Sequence, residues 1–233
     1  MESSAANGIP LTIQIVGLGG QGVVLAGDIL AEAALLADFN VKKSEIHGLS
    51  RRYGSVSCQV RIGDQLHSPL CGHGNVDLLL AFEGYEGLKH LPFLAEQGTG
   101  LFNRLWRKPN VHSATADQPP EMQPDPRLTW FDGTDVTLRA KCLKSLNFFM
   151  LGVISTRLAI PEDIWEETML TLTKAATQGA NWQMFKAGRR IASPEPISHA
   201  PKMIPLHNPP HFQHDVFQND GVTVLPKVQK VVS

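Results

Sequence analysis

Cysteine is scarce in this sequence: Cys58, Cys71 and Cys142 are the only three in 233 residues, and no two stand in a Cys-x-x-Cys spacing. An odd, scattered set argues against a disulfide scaffold and suits a reducing compartment, so the expected location is the cytoplasm. Three thiols also fall short of the roughly four that ligate an iron–sulfur cluster, which excludes a four-thiolate cluster held wholly by this chain. Charge of one sign is not in excess either: the formal net charge is -1, from 21 basic and 22 acidic residues. Bulk electrostatics therefore offer no attraction to nucleic acid or to a membrane surface. The longest apolar run, Phe148 to Ile154, is far below the about 20 residues that span a bilayer. Residues 1–10 have neither a basic start nor an apolar stretch, and they read as a disordered N-terminus rather than a signal peptide.

What is present is enough for a sizeable core, with 42% hydrophobic and 18% charged residues. Leu11 to Val16 reads as a strand that breaks into Gly17-Leu18-Gly19-Gly20-Gln21-Gly22. A helix is expected from Val23 to Ala37, with Val23, Ala26, Leu30, Ala34 and Leu35 on one face. Val41 to Ile46 reads as a second strand, His47 to Gly54 as a polar bend, and Val56 to Ile62 as an alternating, half-buried strand. Val76 to Phe82 is a continuous apolar strand, Glu83 to Leu94 a helix, Gly100 to Asn103 and Leu128 to Phe131 further strands. Asp135 to Leu158 is helical in character, in one or two pieces. A helix starts at Pro161 with Glu162 and Asp163 in its first turn, and Gly179 is placed to close it. A last helix runs from Asn181 to Ala187. The sum is an α/β protein: a Rossmann-like, mostly parallel sheet flanked by helices over residues 11–191. The aperiodic stretch from Arg104 to Arg127 is a surface excursion, and residues 192–233, rich in proline and histidine, form an extended tail.

The glycine segment is the sharpest local feature. A turn of this kind opening a helix presents backbone amides, backed by the helix dipole, to a phosphate or carboxylate at Gly17, Gly19, Gly20, Gln21 and Gly22. The same spacing satisfies the dinucleotide fingerprint, but the acid expected about 20 residues on has no good match: Asp38 comes early and Glu45 late. Docking of a partner subunit and a purely structural tight turn are the further readings. The second feature is the bend Ser44, His47, Gly48, Arg52, Gly54 and Ser55, dense in hydrogen-bonding groups, with Arg52 offering a planar fork suited to carboxylate or phosphate. An ordered polar bend accounts for it equally. His67, Cys71 and His73 are close in sequence but match no zinc spacing, and His207, His211 and His214 sit in the tail, so no metal ligand is assigned. No catalytic side chain is assigned either.

Taken in order, these segments resemble the gamma-type domain of the 2-oxoacid:ferredoxin oxidoreductases, and within that family the indolepyruvate ferredoxin oxidoreductase beta subunit. The resemblance rests on Gly17 to Gly22 with the Ala26 to Ala33 helix, Lys43-Ser44-Glu45-Ile46-His47-Gly48, Arg52, Gly54-Ser55-Val56, and Arg61-Ile62-Gly63. Ser68-Pro69, Asp77, Asn147 with Leu151-Gly152, and Asn181 through Phe185 to Gly188 extend it to residue 190. Tyr53 stands where the family usually has glycine, and Arg51 where glutamine is common. The resemblance implies a subunit, inactive alone, of a complex that converts a 2-oxoacid and coenzyme A to acyl-CoA, carbon dioxide and reduced ferredoxin. It implies thiamine diphosphate and iron–sulfur clusters on an alpha subunit, with coenzyme A at the interface. Neither a Cys cluster nor a Gly-Asp-Gly thiamine signature occurs in this chain. The alternatives are a free-standing nucleotide-dependent Rossmann oxidoreductase and a ligand-binding or assembly module without catalysis.

Overall fold

The computed structural model describes residues 10–47, 54–64, 66–107, 120–192 and 222–223. Seven strands among these residues form one sheet: β1 (Leu11–Leu18), β2 (Val41–His47), β3 (Ser55–Ile62), β4 (Val76–Ala81), β5 (Leu94–Asn103), β6 (Leu128–Phe131) and β7 (Val222–Thr223). Their order is β6-β5-β4-β1-β3-β2-β7. The half from β1 through β4 and β5 to β6 is parallel, whereas β3 lies antiparallel between β1 and β2, and β7 antiparallel on β2. The α/β class holds, and the sheet is mixed.

Among the described residues, six helices flank it: α1 (Val23–Leu36), α2 (Gly84–His90), α3 (Gly133–Arg139), α4 (Leu146–Ser155), α5 (Glu162–Leu172) and α6 (Ala175–Ile191). The alternation of β1 and β3 explains the layers. Leu11, Ile13, Ile15, Cys58, Val60 and Ile62 face a large core shared with α1, α4, α5 and α6. Val16 turns the other way, into a smaller core with Val76, Leu79, Ala81, Leu94 and Phe102. Helix α4 is buried at every position, its apolar run Phe148 to Ile154 flanked by buried Asn147 and Ser155. It lies tight on α6 because two glycines let the backbones meet: a Cβ on Gly152 would stand 2.0 Å from the Phe185 carbonyl oxygen, and one on Gly188 2.0 Å from that of Phe149.

Some boundaries differ from the sequence expectation, each for a physical reason. The helix after β4 ends at His90 rather than Leu94, and Pro92 sits in the short 3-10 turn that follows, since proline cannot continue the backbone ladder. Strand β5 begins at Leu94 rather than Gly100, because its first half, Leu94 to Thr99, pairs beside β4 without an apolar signature. Gly179 does not close α5. That helix stops at Leu172, and Gly179 stands inside α6 in open space, so the last helix is longer than Asn181 to Ala187. The stretch from 135 to 158 is two helices, α3 and α4, separated by Lys141 at φ 56. Among the described residues, no helix is long and apolar enough to cross a membrane.

Candidate functional site

The carboxyl ends of β1, β2 and β4 share one edge of the sheet with the start of β3, as the register Gly17–Val56–His47 across β1, β3 and β2 shows. At this edge the chain leaves β1 through the glycine turn. The Gln21 N–H donates to the Leu18 carbonyl at 3.0 Å, and the Gln21 side-chain Oε1 accepts the Leu18 N–H at 2.7 Å, closing the turn on itself. The Gly19 N–H donates to the Gly54 carbonyl at 2.8 Å, fastening the turn to the residue before β3. Two of the amides expected to face a ligand, those of Gly19 and Gln21, are thus engaged internally. Gly17 is packed beneath Gln21 and Val23.

What stays open is narrower. Gly20 is exposed at φ 94, and Gly22 caps α1 at φ 80, both in the left-handed region that glycine alone enters without strain. Helix α1 starts with no side-chain cap and no acidic residue in its first turn. Its first N–H groups have no partner inside the helix and carry the positive end of its dipole. A helix start of this kind suits an anion. Asn147, the second residue of α4, lies over Gly22; the sequence offers it only among the residues that carry the resemblance.

Beside the turn stands a pair of buried carboxylates, Glu83 and Glu86, at the start of α2. Glu83 receives the Glu86 N–H at 2.8 Å and the Arg107 N–H at 2.7 Å. Burial pushes its carboxyl pKa up against those backbone donors, with the Glu86 charge pushing the same way. Glu86 is fully buried; its Oε2 accepts the Ser55 hydroxyl at 2.5 Å, and its Oε1 has no hydrogen-bond partner. His90 Nδ1 lies 2.9 Å from the Glu86 carbonyl oxygen, and burial lowers its pKa. The only sequence signal for this pair is an acid at i and i+3 directly after an apolar strand.

Ser44 does not reach the edge. It is buried on the sheet face opposite α1, since its neighbour Lys43 points to α1 and holds Asp28 at 2.5 Å. Lys43 is itself buried and also paired with Glu45. Burial opposes its charge, yet the hydrogen bonds of Asp28 and Glu45 outweigh that and hold its pKa above the ordinary lysine value. Burial pushes the adjacent Cys58 thiol up to about 12, which makes it an inert core residue. The backbone of His47 ends β2 opposite Val56. Gly48 and Arg52 lie outside the described residues. Glu45, the late candidate for a ribose-binding acid, is committed to Lys43, and β3 stands between β1 and β2, where a dinucleotide fold would set them side by side.

Elsewhere, His73 packs edge-on against Phe93 with ring centroids 4.4 Å apart, and the Cys71 amide donates to Gln59. Among the described residues, no three His, Cys, Asp or Glu side chains are grouped so that they could hold a metal ion. A groove of about 430 Å³ opens on the helical layer between Glu162 of α5 and Gln183, Lys186, Arg189 and Arg190 of α6, with Arg189 already bonded to Glu162 and to Ser155.

The family model described as pyruvate ferredoxin/flavodoxin oxidoreductase matches residues 12–191. The chain is 33% identical over 157 residues to the indolepyruvate oxidoreductase subunit IorB of Methanothermobacter thermautotrophicus, a match that covers 64% of this chain and 80% of that one. In structure it is similar to the gamma subunit of the keto/oxoacid ferredoxin oxidoreductase of Geobacter sulfurreducens, with a TM-score of 0.60 at 24% identity over 77% of this chain and 96% of that one. It is similar also to the 2-oxoglutarate:ferredoxin oxidoreductase of Magnetococcus marinus, solved with 2-oxoglutarate, coenzyme A and succinyl-CoA bound. That match has a TM-score of 0.63 at 19% identity and covers 78% of this chain but 31% of that one.

Proposed function

Because the chain belongs to the pyruvate ferredoxin/flavodoxin oxidoreductase family, as its gamma-type domain, we propose that it is the non-cluster subunit of a cytoplasmic 2-oxoacid:ferredoxin oxidoreductase and works only within that complex. The 2-oxoacid is an arylpyruvate, indolepyruvate first; the name of the relative from Methanothermobacter thermautotrophicus supports this choice. The overall reaction joins the acyl group of the 2-oxoacid to coenzyme A, releases carbon dioxide and passes the electron pair singly to ferredoxin. Thiamine diphosphate and iron–sulfur clusters, on the alpha subunit, supply the carbanion chemistry and the one-electron steps.

This chain's own part is binding and placement. The observation that carries it is the uncapped, acid-free start of α1 behind Gly20 and Gly22, at the strand-end edge where α/β sheets take their ligands. Those free donors fit a phosphate of coenzyme A. Around them, Gly54 holds the turn through Gly19, and Glu86 holds β3 through Ser55, so the wall of the site is rigid before a ligand arrives.

Affinity purification of the full-length chain from its own cells tests the reading. A larger thiamine- and cluster-containing polypeptide is expected to travel with it, and the complex to reduce ferredoxin with indolepyruvate and coenzyme A. Recovery of the chain alone carrying a bound flavin or nicotinamide contradicts the reading.

A further inference from the structure

The start of α1 carries a polar feature that binding by backbone amides does not explain. Asn147 is only 3% exposed, and its carboxamide sits directly over the helix cap: a Cβ at position 22 would lie 2.6 Å from Nδ2. Its Oδ1 is buried with no hydrogen-bond partner. Helix α4 cannot shift to relieve this, because Gly152 and Gly188 lock it against α6 backbone to backbone. Buried carboxamides are ordinarily paired, since leaving one unpaired opposes folding. A polar side chain held unpaired over an uncapped helix start is accounted for by a group that arrives from outside.

We propose that Asn147 is a ligand-binding residue of the α1 N-terminal site and that the group it binds is a phosphoryl group. This rests on the reading of the glycine turn as a phosphate site, and adds to it a side chain and the need for a phosphoryl O–H. The α1 amides and Nδ2 are donors and suit anionic oxygens. Oδ1 needs a donor in return. A carboxylate brings acceptor oxygens alone, whereas a singly protonated phosphoryl group brings anionic oxygens and an O–H together. Two sources present that chemistry, the 3′-phosphate of coenzyme A and free phosphate.

The test follows the backbone amide signals of Gly20, Gly22 and Val23 in the full-length chain while inorganic phosphate, acetate, coenzyme A or dephospho-coenzyme A is added. It compares the wild type with Asn147→Asp, which keeps the shape and places a negative charge where a helix start favours one. Phosphate is expected to move these signals in the wild type. In Asn147→Asp its affinity falls at least tenfold, while the melting temperature stays equal or rises. Asn147→Ser, which keeps a small polar group, is read in the same way should the aspartate variant not fold. Phosphate affinity within twofold of wild type in the folded variant overturns the role of Asn147 and leaves the anion reading of the turn intact. Acetate binding as tightly as phosphate overturns the phosphoryl assignment. No movement of these amides by phosphate or by coenzyme A overturns both this inference and the reading beneath it. Displacement of phosphate by coenzyme A but not by dephospho-coenzyme A supports the 3′-phosphate as the source, and displacement by neither supports free phosphate. Equal displacement by both contradicts the assignment, since the diphosphate bridge they share carries no O–H at neutral pH.

Discussion

The hydroxyl of Ser55 donates to Oε2 of Glu86 at 2.5 Å, joining the first residue of β3 to a fully buried carboxylate of α2. Ser55 pairs across the sheet with Leu18, and the carbonyl before it receives the Gly19 N–H. One side chain in α2 therefore helps to fix where the glycine turn stands.

Ser55→Ala removes that donor and leaves Glu86 buried with one partner fewer. Leaving a buried acceptor without its hydrogen bond costs about 1–3 kcal/mol. Urea unfolding of the variant is expected to show a midpoint lowered accordingly, and an unchanged midpoint contradicts the link.

Three glycine-to-alanine variants separate close packing from mere flexibility. Gly152→Ala and Gly188→Ala each drive a methyl into a facing carbonyl, and overpacking of this kind costs about 1–3 kcal/mol or more. Gly179→Ala meets nothing within 4 Å in the middle of α6, and the lost freedom of the unfolded chain stabilises the fold by about 0.4–1 kcal/mol. Thermal melts are expected to fall for the first two and rise for the third. The same sign in all three contradicts the packing account of the α4–α6 contact.

Lys43 yields a pH prediction. Its pKa in the folded chain is raised above the ordinary lysine value, so its stabilising effect is fully present below the unfolded pKa of about 10.4 and fades as pH rises through the higher folded value. Asp28 and Glu45 are both partly exposed, which moderates the loss when the cation is removed. Lys43→Met is expected to lower stability by about 1–3 kcal/mol at neutral pH and to flatten the alkaline limb of the stability profile. Parallel profiles for variant and wild type above pH 10 contradict the ion cluster.

The parts of this molecule that follow local rules were legible in the sequence. The glycine turn, the start of α1 and the alternation of β3 depend on residues adjacent in the chain. Other features arise from pairing between distant segments. Nothing in residues 41–62 says that β3 would slip between β1 and β2, and that insertion is what removes the dinucleotide arrangement. The first half of β5, Leu94-Ala95-Glu96-Gln97-Gly98-Thr99, does not alternate apolar with polar residues, so periodicity does not show it. At the site, Gly20 and Gly22 could be named in advance, but the internal use of the Gly19 and Gln21 amides could not. The burial of Glu83, Glu86 and Asn147 is likewise tertiary, decided by α2 and α4 packing over the strand ends.

On the proposed function, this chain binds and positions while the electrons move on another polypeptide. Ferredoxin reduction by indolepyruvate and coenzyme A, measured for the purified full-length chain alone and again after mixing with its thiamine- and cluster-containing partner, tests it most directly. The account predicts no turnover from the chain alone and turnover once the partner is added. Steady ferredoxin reduction by the chain alone contradicts it.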